Sequence, residues 1–152
     1  SLLYEFATGY GYTEKFRPVN VGFGLTYILP IITVILASKP GDLIIIENPE
    51  AHLHPAGQSA IAHLICLAAQ SGVQIIIETH SDHFLNGIRV QVRHNNIFPE
   101  NVSLFYFSQT LDSREHTIEV TQPFIDSDGK IDEWPRGFLD EWDNNLNKLL
   151  DF

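Results

Sequence analysis

The chain has 152 residues, of which 44% are hydrophobic and 18% charged, so it can bury a sizeable core and does not resemble a disordered protein. Its formal net charge of -10 disfavours nucleic-acid binding, because the one small basic cluster, Arg89, Arg93 and His94, is typical of a solvated helix face. A lone cysteine, Cys66, excludes an internal disulfide and suits a reducing, cytoplasmic compartment. The most apolar stretch, residues 21–37, contains a proline and is too short to span a membrane.

The first forty residues divide into an irregular part and a helix. Residues 1–20 are rich in Tyr, Gly and Thr and show little periodicity, which predicts irregular or edge-strand structure. Residues 23–38 carry apolar side chains at helical spacing, so we predict a helix there that is kinked or restarted at Pro30. The Lys-Pro-Gly-Asp run over residues 39–42 ends this helix.

Strands and helices alternate along the next part of the chain. The predicted elements are a buried parallel strand over residues 43–46, a helix over 58–70, a second buried strand over 73–77, a helix over 81–93, a third strand over 103–107 and a candidate fourth over 116–120. This order predicts an α/β fold with a parallel sheet and right-handed crossovers. We assign residues 1–122 to this lobe and residues 123–152 to a C-terminal tail.

Two patterns mark the tail. Asp126, Asp128 and Gly129 resemble part of a calcium loop, but Phe124 and Pro135 stand where that loop needs acidic ligands, which favours a plain turn. A Toprim nuclease site is also disfavoured, because no apolar strand leads into the two aspartates. A helix that starts at Pro135 would align four large apolar residues in a stripe. We expect this stripe to dock on the core of this domain rather than on a partner. The stripe consists of Phe138, Trp142, Leu146 and Leu149.

Polar residues follow the first two predicted strands at the point where each strand ends. The two segments read LIIIENPEAHLHP from Leu43 and VQIIIETHSDHF from Val73. Ligands of parallel α/β sheets bind beyond the carboxyl ends of the strands, where a carboxylate can hold Mg²⁺ and a histidine can reach a terminal phosphate. No cysteine pair accompanies the histidines, which disfavours a zinc site. These histidines are His52, His54, His80 and His83.

The two segments resemble parts of ABC-type ATPases, most closely the branch related to chromosome-maintenance, RecF-like and overcoming-lysogenization-defect ATPases. The first is similar to the Walker B and D-loop region, and the second to the switch-histidine segment. NVGFGLTYILP, from Asn20, resembles the signature motif, and IDSDGKIDEWPRGF, from Ile125, resembles the C-terminal tail of a group of predicted bacterial ATPases. The resemblance covers residues 20–138 and implies the C-terminal lobe of a P-loop ATPase head.

The resemblance implies a role for each matching residue. Glu47 matches the Walker B carboxylate that organises Mg²⁺, and His80 matches the switch histidine that contacts the γ-phosphate of ATP. Asn48 stands where many relatives have the glutamate that polarises the attacking water; an amide orients water but takes no proton, so Glu50 is the alternative base. The signature acts on ATP held by the partner subunit, which implies a homodimer formed through the signature and the D-loop. The signature-like residues are Gly22, Phe23 and Gly24.

The phosphate-binding Walker A loop, GxxxxGK[ST], does not occur in the sequence. In the family it lies far upstream, in an N-terminal lobe, so we expect the chain to be a fragment with negligible affinity for ATP and no turnover of its own. Three functions stay open. The first is the hydrolysing lobe of a dimeric ATPase, which would act in DNA repair or phage defence through DNA or an effector protein. The second is a nucleotide sensor with little hydrolysis. The third is a scaffold with a vestigial site.

Overall fold

The computed structural model describes residues 2–112, 115–135 and 137–150. Their helices and strands are β1 (Ala7–Thr8), β2 (Gly11–Tyr12), α1 (Phe23–Ala37), β3 (Leu43–Glu47), α2 (Pro55–Gln70), β4 (Gln74–Glu78), α3 (Asp82–Arg93), β5 (Tyr106–Asp112), β6 (Glu115–Thr121) and α4 (Glu141–Leu150). Short 3-10 turns cover Pro18–Asn20 and Pro99–Asn101. Among the described residues, none of the helices combines the length and the apolar character that crossing a membrane requires.

The two isoleucine-rich strands form the predicted parallel pair. β3 and β4 lie in register from Leu43 opposite Gln74 to Glu47 opposite Glu78, and α2 connects them. This confirms the α/β class and the parallel pairing. The prediction that both strands are buried holds for one face only, because Ile45 is 67% and Ile76 50% exposed on the other. Helices α1, α2 and α3 pack against the opposite face, which carries Ile44 and Ile46.

The main core lies between that covered face and helices α1, α2 and α3. Apolar side chains from all five elements meet there. Gly87 of α3 faces Ala62 of α2, and these small residues let the two helices approach closely. The buried members are Ile35, Ile44, Ile46, Ile61, Ala62, Ile65, Val73 and Phe84.

The helix boundaries follow the capping residues. α1 runs without interruption through Pro30, so the predicted restart does not occur. α2 begins at Pro55, three residues before the predicted start, because a proline suits the first turn and the ring of His54 accepts from the backbone N–H of Ala56 at 3.4 Å. Ser81 caps α3, since its Oγ accepts from the N–H of Phe84 at 3.0 Å.

The third and fourth strands do not extend the parallel sheet. β5 and β6 pair with each other as an antiparallel hairpin, and the third strand begins at Tyr106 instead of residue 103. Val102 and Leu104 pack against a second apolar cluster, so this segment contributes to the core and does not pair with β4. The buried members of that cluster are Cys66, Val92, Ile97 and Ile125.

The turn after β6 ties the tail to α3. The carboxylate of Asp126 accepts from the N–H groups of Asp128 at 2.9 Å and Lys130 at 2.8 Å, which is the hydrogen bonding of a tight turn. The Nε of Arg89 donates to the carbonyl of Gly129 at 2.7 Å, and its guanidinium lies 5.6 Å from the ring centre of Trp134. The predicted solvated face therefore holds for Arg93 and His94, which are exposed, but not for Arg89, which is half-buried.

The last helix begins later than its sequence pattern predicts. α4 starts at Glu141, because Gly137 and Leu139 have positive φ and the chain cannot be helical there. Phe138 consequently lies outside the helix and packs against Tyr106, with ring centres 5.2 Å apart. Trp142 is 68% exposed, so the predicted docking of the whole stripe on this domain's own core is wrong.

Candidate functional site

Two glutamates stand side by side where the parallel strands end. Glu47 and Glu78 are partners in the β3–β4 register, and both lie on the exposed face of the pair. The pairing continues one residue further, because the N–H of Asn48 donates to the carbonyl of Glu78 at 2.9 Å. Glu78 was not predicted as a site residue, although the repeated IIIE at the ends of both strands is a signal that could have found it.

Oxygen ligands of this kind suit a hard divalent cation such as Mg²⁺. Like charges on directly opposite residues of two strands repel each other, so a cation between Glu47 and Glu78 would remove an unfavourable interaction. Among the described residues, no three His, Cys, Asp or Glu side chains come together as a complete metal site. The arrangement therefore fits a cation that takes its other ligands from water and phosphate oxygens, as Mg²⁺ commonly does.

A tight turn follows β3, and it includes two residues with left-handed backbone conformation. Asn48 has φ 48° and His52 has φ 61°, and asparagine is among the few residues that tolerate this region. The turn is closed by hydrogen bonds from the N–H of Ala51 to the carbonyl of Asn48 at 3.0 Å and from the N–H of Leu53 to the carbonyl of Glu50 at 3.0 Å. The asparagine thus has a backbone reason to occupy its position, independent of any chemistry of its amide.

The carboxylate of Glu50 points across to the residues that follow β4. Its Oε2 accepts from the hydroxyl of Thr79 at 2.8 Å, and its Oε1 accepts from the backbone N–H of His80 at 3.0 Å. The threonine hydroxyl also accepts from the N–H of Ser81 at 3.1 Å. Both oxygens of this carboxylate are therefore engaged in holding the adjacent loop.

A second connection joins the same two loops. The hydroxyl of Ser81 donates to the Oε1 of Gln58 at 2.5 Å, and the Nε2 of Gln58 donates to the carbonyl of Leu53 at 2.9 Å. Because the N–H of Leu53 bonds to the carbonyl of Glu50, the path returns to its start. Gln58 lies on α2 and was not predicted as a site residue; its partners lie five and 23 residues away in the chain, so periodicity gives no signal for it.

The side chain of His80 lies free of this network and faces solvent. Its imidazole is 84% exposed, and its Nε2 lies 3.0 Å from the Oε1 of Glu78. The backbone of the residue is fixed while the ring is accessible, which suits a side chain that meets a ligand from outside. Glu47 ends β3, and Asn48, Glu50 and this histidine lie on the loops that follow the two strands, so all four are at one edge of the strand pair, as the sequence predicts.

The signature-like residues meet the turn after β3 through His52. A Cβ on Gly24 would lie 2.7 Å from the carbonyl oxygen of His52, so only glycine permits this approach. The imidazole of His52 lies 6.0 Å from the ring of Phe23 and 5.3 Å from that of Tyr27. Gly22 precedes the first residue of α1 and has open space around it, and the phenylalanine is 79% exposed. The start of α1 and the loop after β3 therefore form one continuous surface.

The parallel strand pair ends in carboxylates and a histidine, an arrangement that suits a nucleotide-binding domain of the ATPase type. Residues 4–86 match the family described as an AAA domain, putative AbiEii toxin, type IV TA system. This match covers more than half of the chain, so the chain belongs to this family. Residues 97–149 match a second family, described as a protein of unknown function, DUF3696. No curated protein and no solved structure gives a significant match.

Proposed function

We propose that this chain supplies the Walker B carboxylate, the switch histidine and the signature-like helix start of a dimeric ABC-type ATPase. Glu47 would organise Mg²⁺, His80 would face the γ-phosphate, and residues 22–24 would meet ATP held by a second copy. The phosphate-binding loop would come from outside these 152 residues, since the sequence contains no Walker A pattern. The turn of His52, which adjoins the signature-like residues, would take part in the same dimer contact.

One observation carries this proposal. The two strands that resemble Walker B and the switch segment pair in parallel and in register, so Glu47 and the residues that lead to His80 leave the sheet at one edge. Parallel α/β sheets bind their ligands at that edge. Glu47 and Glu78 would hold Mg²⁺, which would supply the charge neutralisation that phosphoryl transfer needs from a metal.

The test measures ATP hydrolysis by the whole natural protein in which these residues occur. We expect Glu47→Gln and His80→Ala each to lower kcat by on the order of 10²-fold, the usual cost of losing one group that stabilises developing charge. Two exposed residues outside the site serve as controls, and we expect His83→Ala and Glu100→Gln to keep the wild-type rate. Wild-type rates in both site variants would refute the proposal.

A nucleotide sensor with slow turnover is the second candidate, and the geometry around Asn48 favours it. The usual water-activating glutamate is replaced by an amide, and both oxygens of Glu50 are already bonded. We expect Asn48→Glu to raise kcat, because general-base assistance is worth about 10²–10⁴-fold. The gain should be smaller than this range, since glutamate in left-handed backbone costs about 1 kcal/mol. ATP-dependent dimerisation with negligible hydrolysis would favour the sensor.

The physiological task is proposed from resemblance alone. The family description names a putative toxin of a type IV toxin–antitoxin system, and the related branch of ATPases implies phage defence or DNA repair. With a net charge of -10, this chain is a poor surface for nucleic acid, so we assign any contact with DNA to other parts of the assembly. Loss of protection against phage in cells that carry Glu47→Gln would support the defence role, and intact protection would contradict it.

A further inference from the structure

We propose that Glu50 is a positioning residue that locks the loop after β3 to the loop after β4, and that it is not the base of the reaction. The inference rests on the proposed function and refines the role of one residue within it. Its basis is the closed hydrogen-bond path described above, which we call the loop clamp. The loop clamp consists of Glu50, Leu53, Gln58, Thr79, His80 and Ser81.

The chemistry of the carboxylate argues against a base. A general base must offer a lone pair to a water within hydrogen-bond distance. The Oε2 of Glu50 is aligned with the hydroxyl of Thr79, and its Oε1 with the backbone N–H of His80. Each carboxylate oxygen thus meets a donor of the loop after β4, which suits an acceptor that holds this loop.

The loop clamp also explains the residue types around His80. Thr79 must donate to the carboxylate and accept from the N–H of Ser81, which a hydroxyl can do and an apolar side chain cannot. Ser81 must donate to Gln58 and accept from the first turn of α3. The residues on both sides of the histidine are thereby fixed, while its own ring is left 84% exposed to reach a ligand.

The first experiment measures hydrogen exchange of the His80 backbone amide by NMR in the whole protein. We expect Glu50→Ala to speed exchange about 10–100-fold, the loss of a charge-assisted hydrogen bond. Glu50→Gln keeps an oxygen for this amide and should retain most of the protection. The amide of Ile65, within α2, reports whether each variant is still folded. Unprotected exchange in the wild type, or equal exchange in the wild type and Glu50→Ala, would overturn the loop clamp.

The second experiment measures kcat and KM for ATP in the whole protein. A positioning role predicts that Glu50→Gln retains much more activity than Glu50→Ala, and that Thr79→Val lowers kcat whereas Thr79→Ser does not. It also predicts that Thr79→Val costs little further activity when Glu50→Ala is already present, because the two changes break the same contact. A base predicts the opposite: Gln as damaging as Ala, and Thr79→Val near the wild-type rate.

The two experiments separate the two proposals. If the whole protein does not hydrolyse ATP, the proposal that it is an ATPase is refuted. Amide exchange at His80 still decides whether the loop clamp exists. If ATP is hydrolysed and Glu50→Gln is as inactive as Glu50→Ala, the ATPase stands and the positioning role falls. Protected exchange together with an active Glu50→Gln variant supports both.

Discussion

A glycine in the middle of α3 provides a sharp test of the packing. Gly87 is buried where α3 crosses α2, and a Cβ there would lie 2.8 Å from the Cβ of Ala62 and 3.1 Å from the Cα of Ser59. Normal contacts between carbon atoms are about 3.5–4.0 Å, so the two helices would have to move apart. We predict that Gly87→Ala destabilises the chain.

The magnitude follows from two opposing terms. Alanine is favoured over glycine in a helix interior by about 1 kcal/mol. Overpacking a filled contact costs about 1–3 kcal/mol. We therefore expect a net loss of about 1 kcal/mol, which lowers the Tm by about 2–4 °C in a domain of this size. Thermal and urea unfolding followed by circular dichroism would measure both quantities.

Two control variants make the result interpretable. Gly57 in α2 has only ordinary contacts, at 3.6 Å and beyond, so Gly57→Ala should be neutral or stabilising. Adding Ala62→Gly to Gly87→Ala removes the closest obstacle and should restore part of the packing loss, while the contact with Ser59 remains. A higher Tm for Gly87→Ala than for the wild type would refute the close approach of α2 and α3.

Two further predictions concern the tail helix and the cysteine. Trp142→Ala should change the free energy of unfolding by less than about 0.5 kcal/mol, because the side chain is 68% exposed; a loss as large as the 3–5 kcal/mol expected for emptying the core site of Phe84 would contradict this. Burial raises the pKa of the Cys66 thiol from 9.0 to about 12. A thiol reagent at pH 8 should therefore label the folded chain about 10³-fold more slowly than the unfolded chain. Since unfolding returns the pKa to 9.0, this group should leave stability unchanged below pH 9 and reduce it as the pH rises toward 12; equal labelling of both states would show that the thiol is accessible.

The elements predicted correctly from the sequence are those that depend on short-range patterns, such as helical spacing and capping residues. Helical spacing placed α1, and the serine before α3 fixed its start. The two IIIE strands predicted a parallel pair and the edge that gathers Glu47 and His80. The start of α4 was missed because the pattern of apolar residues runs back past Gly137, whose positive φ interrupts the helix.

Longer-range features left no such signal. The hairpin of β5 and β6 looks like further sheet strands in the sequence, since pairing partners are chosen by the whole fold. The bonds of Glu50 reach 29 and 30 residues along the chain, so no local pattern separates a loop-holding carboxylate from a base. Arg89 reaches 40 residues to Gly129, which the basic cluster in the sequence cannot indicate.

The contact between His52 and the start of α1 has a mechanical consequence. The loop that contains this histidine is bonded to the residues around His80, and its carbonyl lies against Gly24 with no room for a side chain. The start of α1, the loop after β3 and the loop after β4 are therefore in direct contact, so none of them can move far without the others. We therefore expect a ligand that displaced the backbone of His80 also to shift the start of α1.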